Sequence, residues 1–158
     1  MKMLIVLGEG GHTKEMVRLI DQLGPDIDYS YVLVDDDELS EGKITRPGPV
    51  YRVIRPRDKA HNLVGDVIKA LRCAVQGARV VRRVRPDAFL STGPSVAVPV
   101  AVVARLVGAR VIFVETGSRV RALSMTGRIM YRVAHLFFVQ WEPLRSRYPR
   151  ARYAGRLC

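Results

Sequence analysis

The sequence predicts an α/β fold, a Rossmann-like parallel sheet flanked by helices. Short apolar runs alternate along the chain with longer stretches of helical spacing, which is typical of parallel strands joined by helical crossovers. Several apolar runs end in glycine-rich or polar turns, and ligands of such folds bind where the strands end. The 158 residues contain neither an internal repeat nor a long linker, so we expect one domain over residues 1–158.

Six apolar runs have the length of buried strands. They are nearly continuous in apolar residues, which indicates strands covered on both faces. The first run leads into a glycine turn without a cleavage site, so we expect a strand there and not a signal peptide. We predict strands over residues 2–7, 29–34, 50–54, 88–91, 110–114 and 135–139.

Four stretches between these strands have helical spacing. In the first, apolar residues recur three and four positions apart, and Gly24 and Pro25 end the helix. The acidic segment over residues 35–42 predicts a solvated loop, and the chain after residue 139 is expected to be a short tail. We predict helices over residues 13–23, 61–84, 96–107 and 123–133.

The chain carries a formal net charge of +11, which implies an anionic partner. The predicted helix over residues 61–84 concentrates that charge, because its basic residues alternate with apolar ones and little acid balances them. Such a helix is most simply a solvated face, but it also suits an anionic membrane surface. No pattern of a nucleic-acid-binding fold is recognisable, so we expect no nucleic acid. Met125, Ile129 and Met130 are expected in the core or facing a partner.

Composition excludes several other classes of protein. Cys73 and Cys158 are too few for a disulfide framework and lack the spacing of a metal-binding pair, which suits a reducing, cytoplasmic setting. The longest apolar stretch is interrupted by Pro99, Arg105 and Gly108, so we expect no transmembrane helix.

Two turns are candidate anion sites. After the first predicted strand, Gly10 and Gly11 let a ligand approach the backbone, and the start of the next helix offers amide groups and partial positive charge. The spacing fits neither a dinucleotide fingerprint nor a P-loop, and a tight turn that serves packing alone is the alternative. The turn with Gly93 and Ser95 opens another helix, and an ordinary capped turn is its alternative.

Two side chains are candidates for a general base. His12 stands at the start of the first helix, where the helix dipole favours a neutral imidazole that could take a proton from a sugar hydroxyl. Glu115 follows the fifth strand, so its carboxylate is expected at the mouth of the site as a base, a partner of sugar hydroxyls or a group that orients His12. The alternatives are a hydrogen bond of His12 within its turn and a salt bridge from Glu115 to Arg119 or Arg121.

Several motifs resemble, in the same order, those of one family. They are Gly10-Gly11-His12-Thr13-Lys14-Glu15-Met16, Ser91-Thr92-Gly93-Pro94, Val114-Glu115-Thr116-Gly117-Ser118-Arg119-Val120, Phe137-Phe138-Val139-Gln140-Trp141, Tyr148-Pro149 and Gly155-Arg156-Leu157. The sequence resembles the ALG-fourteen-type family, the acceptor and membrane-recruiting subunit of the split UDP-N-acetylglucosamine transferase of lipid-linked oligosaccharide synthesis. The resemblance covers essentially the whole chain. Bacterial members act in exopolysaccharide and capsule assembly and use different sugars.

The resemblance implies the fold of the N-terminal half of a GT-B glycosyltransferase, because the family is similar to the N-terminal domain of the lipid II synthase. It implies an inverting transfer from a UDP-sugar to a polyprenyl-diphosphate-linked saccharide, without a metal or cofactor. The donor would lie on a small partner subunit that carries the C-terminal half, so this chain alone is expected to be inactive. A non-catalytic membrane scaffold for a catalytic partner is the alternative.

The resemblance implies that Gly10, Gly11 and His12 lie at the acceptor diphosphate and Glu115 near the acceptor sugar, and with the turn patterns it leads to roles for particular residues. His12 is the first choice for the base and Glu115 the second. The residues expected at the acceptor diphosphate are Gly10, Gly11, Thr13, Gly93 and Ser95. Those expected at the acceptor sugar or in its loop are Thr116, Gly117, Ser118 and Arg119.

Two departures from the family pattern matter. Glu9 stands where the family usually has a small residue, and a carboxylate there would repel a phosphate unless it points away. The eukaryotic members carry an N-terminal membrane anchor, whereas this sequence begins with its first strand. We therefore expect peripheral attachment to the anionic, cytoplasmic face of the cell membrane, in a prokaryote.

Overall fold

Seven strands form one parallel sheet in the computed structural model, which describes residues 1–56 and 63–157. The first two residues of the helix predicted over residues 61–84, and Cys158, lie outside the described residues. The sheet order is β3-β2-β1-β4-β5-β6-β7. The strands are β1 (Lys2–Val6), β2 (Asp28–Val34), β3 (Val50–Val53), β4 (Ala88–Ser91), β5 (Arg110–Val114), β6 (Leu136–Val139) and β7 (Arg152–Tyr153).

All six predicted strands are present, and each observed end lies within one residue of the predicted end. The sequence does not predict β7, because two exposed residues at the sheet edge give no apolar run. The helices of the described residues are α1 (Gly11–Leu23), α2 (Leu63–Val84), α3 (Ala97–Leu106), α4 (Met125–Val133) and α5 (Leu144–Arg147), with a 3₁₀ turn at Glu41–Lys43. The sequence does not predict α5, since four residues are too short to show helical spacing.

The two faces of the sheet are covered unequally. On one face, α2, α3, α4 and α5 pack against strand residues that include Phe89 and Phe113. On the other face, α1 is the only helix of the described residues that contributes to the core. The handedness of the crossover connections explains the difference. In the sheet, β2 and β3 lie on one side of β1, and β4 to β7 lie on the other side. Right-handed connections that lead in these two directions place their helices on opposite faces of the sheet.

Beyond α1, the described residues leave this face of the sheet partly open. Ile112 of β5 and Phe138 of β6 are only half-buried there, whereas their neighbours on the opposite face are buried. An open apolar groove of about 410 Å³ runs between α1 and the C-terminal residues. Its lining includes Leu19, Leu23, Ile112, Leu136, Phe138 and Leu157. The expectation of strands covered on both faces is thus wrong for this part of the sheet.

Helix α2 buries only part of its apolar surface. Four apolar side chains near its beginning are between 47% and 63% exposed: Val67, Ile68, Leu71 and Val75. Four others pack towards the sheet: Cys73, Val80, Val81 and Val84. Because α2 follows β3, its exposed apolar end lies at the carboxyl edge of the sheet. No helix in residues 1–56 and 63–157 is long and apolar enough to cross a bilayer.

The carboxyl edge of the sheet also carries the predicted site. β1 lies between β2 and β4, so the chain leaves β1 on one side and later returns on the other. The turns after β1 and β4 therefore diverge and leave a crevice, which is where ligands bind in open parallel sheets.

Candidate functional site

The glycine turn joins β1 to α1 as predicted. Gly10 is the residue before the first turn of α1, and no side chain of residues 1–56 and 63–157 caps that turn. The amide groups at the start of a helix need partners, and here no cap from the described side chains supplies one. The start of α1 is therefore suited to an anion.

The Thr13 side chain packs beneath the glycine turn and forms hydrogen bonds there. Its hydroxyl donates to the carbonyl oxygen of Gly8 and lies 2.8 Å from the hydroxyl oxygen of Ser40. Thr13 and Ser40 are both buried, and the Ser40 amide donates to Asp37 over 3.0 Å. The acidic loop is thus not solvated throughout, because Asp37 and Ser40 pack beneath the turn. Thr13 could meet a diphosphate only through its backbone amide.

The His12 ring is fixed by the neighbouring turn after β4. Its Nδ1 lies 2.8 Å from the carbonyl oxygen of Thr92, and the Thr92 hydroxyl donates to the His12 carbonyl oxygen over 2.9 Å. A carbonyl oxygen only accepts, so Nδ1 carries the proton in this hydrogen bond. In the neutral ring, Nε2 then carries a lone pair instead of a proton. This is the tautomer in which Nε2 can act as a general base.

Gly93 makes room for this ring. A Cβ atom at Gly93 would lie 2.8 Å from Cε1 of His12, and Gly93 has a φ of 123°, which other residues rarely adopt. The two turns that the sequence marks separately, with His12 and with Gly93, are therefore in direct contact. Ser95 is exposed beside them.

A cleft of about 210 Å³ opens between these two turns. Its polar lining comes from His12, Ser95, Glu9 and Arg55. Arg55 follows β3 and donates to the Glu9 carboxylate and, over 3.0 Å, to Asp36. The sequence gives no signal for Arg55, since it lies 43 residues from His12 and no motif marks it.

Gly10 and Gly11 border a different depression. This shallow surface is lined by Gly10, Gly11 and the basic residues Lys14, Arg18 and Lys43. The glycine turn therefore has the His12 cleft on one side and a basic surface on the other. The basic surface is suited to negative charge, whereas in the cleft the Arg55 guanidinium is already paired with Glu9 and Asp36.

Glu115 is buried, and its expected position at the mouth of the site is wrong. Its two carboxylate oxygens accept hydrogen bonds from the amides of Thr116, over 3.1 Å, and Ser124, over 3.0 Å. The Ser124 hydroxyl also donates to it, and a Cβ atom at Gly127 would collide with it. Burial raises the pKa of Glu115, and the bonds from Ser124 and Thr116 oppose that rise. The carboxylate thus holds the loop against the start of α4.

The loop after β5 is tied to α1 by Glu15. One carboxylate oxygen of Glu15 accepts from the Gly117 amide over 2.8 Å and from the Thr116 hydroxyl over 3.2 Å. Glu15 lies one turn after His12, so a single helix carries both the ring and the anchor of this loop. Thr116 and Gly117 are buried, whereas Ser118 and Arg119 are exposed.

The structure thus brings His12, Gly93 and Ser95 together, with Arg55 and Glu9 beside them. It leaves Glu115 beneath the surface. Within residues 1–56 and 63–157, no cluster of three or more histidine, cysteine or acidic residues could hold a metal ion.

Comparison with protein families and known proteins gives consistent matches. A family model described as "Oligosaccharide biosynthesis protein Alg14 like" matches residues 3–157. The chain is 33% identical over 181 residues to the UDP-N-acetylglucosamine transferase subunit ALG14 of Homo sapiens, which covers 99% of this chain and 83% of the human one. A protein of the same name from Candida albicans is 29% identical over 167 residues, which covers 97% and 76% of the two chains.

Solved structures share the fold. MurG of Acinetobacter baumannii superimposes with a TM-score of 0.77 at 20% identity, over 98% of this chain and 44% of that chain. UDP-GlcNAc 2-epimerase of Neisseria meningitidis, bound to UDP-GlcNAc, superimposes with a TM-score of 0.74 at 14% identity, over 99% and 47% of the two chains. The chain therefore spans less than half the length of each structure, and the predicted Rossmann-like half of a GT-B fold is confirmed.

Proposed function

The chain belongs to the Alg14-like family of oligosaccharide biosynthesis proteins, and we propose that it is the acceptor-binding, membrane-associating subunit of a two-component inverting glycosyltransferase. The family resemblance seen in the sequence is thereby confirmed, and a role as a glycosyltransferase subunit follows from it. The acceptor, the reaction and the partner are the parts that we propose.

The acceptor is a saccharide linked to a polyprenyl carrier by a diphosphate. Support comes from the start of α1, where no side chain of the described residues caps the Gly10 and Gly11 backbone. The basic residues Lys14, Arg18 and Lys43 beside it add positive charge. Gly93 and Ser95, at the start of α3, complete the proposed diphosphate site on the other side of the His12 cleft.

His12 acts as the general base, and the observation that carries the proposal is the contact between its Nδ1 and the Thr92 carbonyl oxygen, from which the tautomer follows. Nε2 takes the proton of the acceptor hydroxyl while that oxygen attacks the anomeric carbon of the donor sugar and UDP leaves, with inversion. The hydrogen bond to Thr92 places the proton of the neutral ring on Nδ1, so that Nε2 is the basic nitrogen, and it stabilises the imidazolium that forms. Glu115 acts as a positioning residue, which holds the acceptor-sugar loop of Thr116, Gly117, Ser118 and Arg119.

The donor UDP-sugar lies on a partner subunit that supplies the C-terminal GT-B half. The relatives are named as subunits of a UDP-N-acetylglucosamine transferase, and solved proteins of the same fold are more than twice as long as this chain. The bare groove beside α1 offers this partner an apolar surface of the kind that protein interfaces bury.

The chain attaches peripherally to the anionic, cytoplasmic face of the cell membrane. The exposed apolar residues over 67–75 of α2, with Arg72 exposed among them, form an amphipathic surface towards the edge of the sheet that carries the site. Arg79, Arg82 and Arg83 are exposed nearer the other end of the same helix. Met125 and Ile129 of α4 are exposed as well, whereas Met130 is buried.

Reconstitution tests the division of labour. The purified chain, its partner and both together are incubated with UDP-sugars and a polyprenyl-diphosphate-linked saccharide, and the lipid product is quantified. We expect product only when both chains are present. Full turnover by either chain alone would contradict the proposal. The scaffold alternative is distinguished by substituting His12 and Glu115, because a scaffold would still bind its partner and keep its rate.

A further inference from the structure

We propose that Arg55 is a diphosphate-binding residue whose guanidinium is paired with Glu9 before the ligand binds, and that an incoming lipid diphosphate displaces Glu9 from it. This inference rests on the proposed function and adds two residues to its acceptor site. The ligand chemistry is that of an organic diphosphate, and we assign it to the polyprenyl acceptor.

Arg55 and Glu9 lie inside the proposed site. Glu9 precedes the glycine turn and Arg55 follows β3, and both line the cleft that contains His12 and Ser95. Arg55 is thus a basic side chain beside the ring that we propose as the base. Its side chain is 29% exposed, against 51% for that of Glu9, so the guanidinium is the more enclosed member of the pair.

The charge around Arg55 is negative while Glu9 stays in place. Arg55 contacts two carboxylates, Glu9 and Asp36, so this corner carries more negative than positive charge. A diphosphate entering beside it would be repelled. Glu9 therefore resembles an internal anion that already occupies the position of the ligand.

The Glu9 carboxylate can be exchanged for a phosphate at small cost. Ion pairs between exposed side chains contribute little to stability, so Glu9 can leave Arg55 and turn towards solvent. A guanidinium can bind a phosphate through two parallel hydrogen bonds, whereas Arg55 donates a single hydrogen bond to the Glu9 carboxylate. Asp36 still contacts Arg55 and keeps it oriented after Glu9 has left.

The chain offers a matched control for this pair. Arg52 and Glu41 form a second exposed ion pair, 2.7 Å long, and Arg52 belongs to β3, the strand that Arg55 follows. Neither Arg52 nor Glu41 lines the cleft with His12. Glu41→Gln therefore removes a comparable ion pair and the same charge without changing the proposed site.

Binding of geranyl diphosphate to the full chain, measured by calorimetry, tests the inference. We expect Arg55→Gln to weaken binding about tenfold or more, since a charged hydrogen-bond donor is lost. We expect Glu9→Gln to strengthen it several-fold, the double variant to bind like Arg55→Gln, and Glu41→Gln to bind within about twofold of the native chain. Thermal unfolding of each variant verifies that it is folded.

Several results would overturn the inference. They are unchanged binding by Arg55→Gln, weaker binding by Glu9→Gln, and no binding of geranyl diphosphate by the native chain. Binding of UDP that is as tight, with the same dependence on Arg55, would assign the pair to the donor instead. In each case the two-chain transferase assay still decides the proposed function separately, because that assay uses the native chains.

Discussion

Among the individual residues, His12 owes its orientation to the turn after β4. The Thr92 carbonyl oxygen fixes the proton on Nδ1, and Gly93 leaves space for the ring. The sequence shows both turns, but it does not show that they touch, because 80 residues separate His12 from Thr92.

Gly93→Ala tests this contact. The added Cβ would lie 2.8 Å from Cε1 of His12, so we expect the ring to leave its hydrogen bond, with a loss of stability of about 1–3 kcal/mol from backbone strain. The measurements are urea unfolding and the ¹⁵N–¹H signals of the His12 ring. Gly108→Ala is the control, since Gly108 has a φ of 90° but open space around its Cβ position. Equal ring signals in the two variants would contradict the proposed contact.

The buried Glu115 carboxylate predicts a pH dependence of stability. Its pKa in the folded chain is raised above the ordinary 4.5 by burial, so the folded state binds the proton more tightly than the unfolded state. The stability from this group is fully present below pH 4.5 and is lost as the pH rises through the raised pKa. Over that range we expect the free energy of unfolding of the native chain to fall relative to that of Glu115→Gln.

Urea unfolding between about pH 4 and about pH 8 measures the difference between these two chains. Ser124→Ala removes a donor to the ionised carboxylate, so we expect the decline to move to higher pH in that variant. A difference that rises with pH would contradict a raised pKa. The sequence correctly places Glu115 at the end of β5. The direction of its side chain depends on Ser124 and Gly127, which no sequence motif connects to Glu115.

Among the helices and strands, the alternation of apolar runs and helical stretches is sufficient to predict six strands and four helices. Periodicity predicts these elements because each buries one continuous surface. Periodicity does not predict α5 and β7, because these elements are too short to show a repeating pattern. It also does not predict the burial of Asp37 and Ser40 beneath the glycine turn, which depends on Thr13. Periodicity also cannot show that part of α2 points its apolar residues outwards.

The exposed part of α2 predicts membrane binding. We expect the double variant Leu71→Ser and Val75→Ser to bind vesicles of anionic phospholipid about tenfold more weakly, because both side chains are more than half exposed and would lose apolar burial in the bilayer. Co-sedimentation at two salt concentrations is the measurement, and high salt should weaken binding of the native chain.

Leu106→Ser is the matched control for membrane binding. Leu106 is 80% exposed but ends α3, which returns the chain to the opposite edge of the sheet. We expect this variant to bind vesicles like the native chain. An equal loss of binding in both variants would mean that no particular surface faces the membrane.

In the molecule as a whole, the handedness of the crossovers leaves one face of the sheet only partly covered by the described helices. The sequence predicts a parallel sheet with helices on both faces, but the uneven coverage follows from strand order, which the sequence does not reveal. The exposed groove on this side is the surface on which we propose that the donor-binding partner docks.

The variant Leu23→Asp tests whether the partner subunit binds in the groove beside α1. Leu23 is 39% exposed on the rim of the groove, so we expect a charge there to weaken association with the donor-binding subunit at least about tenfold, as measured by analytical ultracentrifugation. Leu39→Asp is the control, because Leu39 is 77% exposed and does not line the groove. Equal affinities of the two variants would move the interface elsewhere.

The proposed function depends above all on this subunit contributing the base of the transfer reaction, and His12→Asn is its decisive test. Asparagine keeps an N–H group for the Thr92 carbonyl oxygen but lacks the Nε2 lone pair. In the reconstituted two-chain enzyme we expect kcat to fall by about 10²- to 10⁴-fold, with an unchanged KM for the UDP-sugar and unchanged partner affinity. An undiminished kcat would contradict this role, because the partner would then perform the chemistry alone.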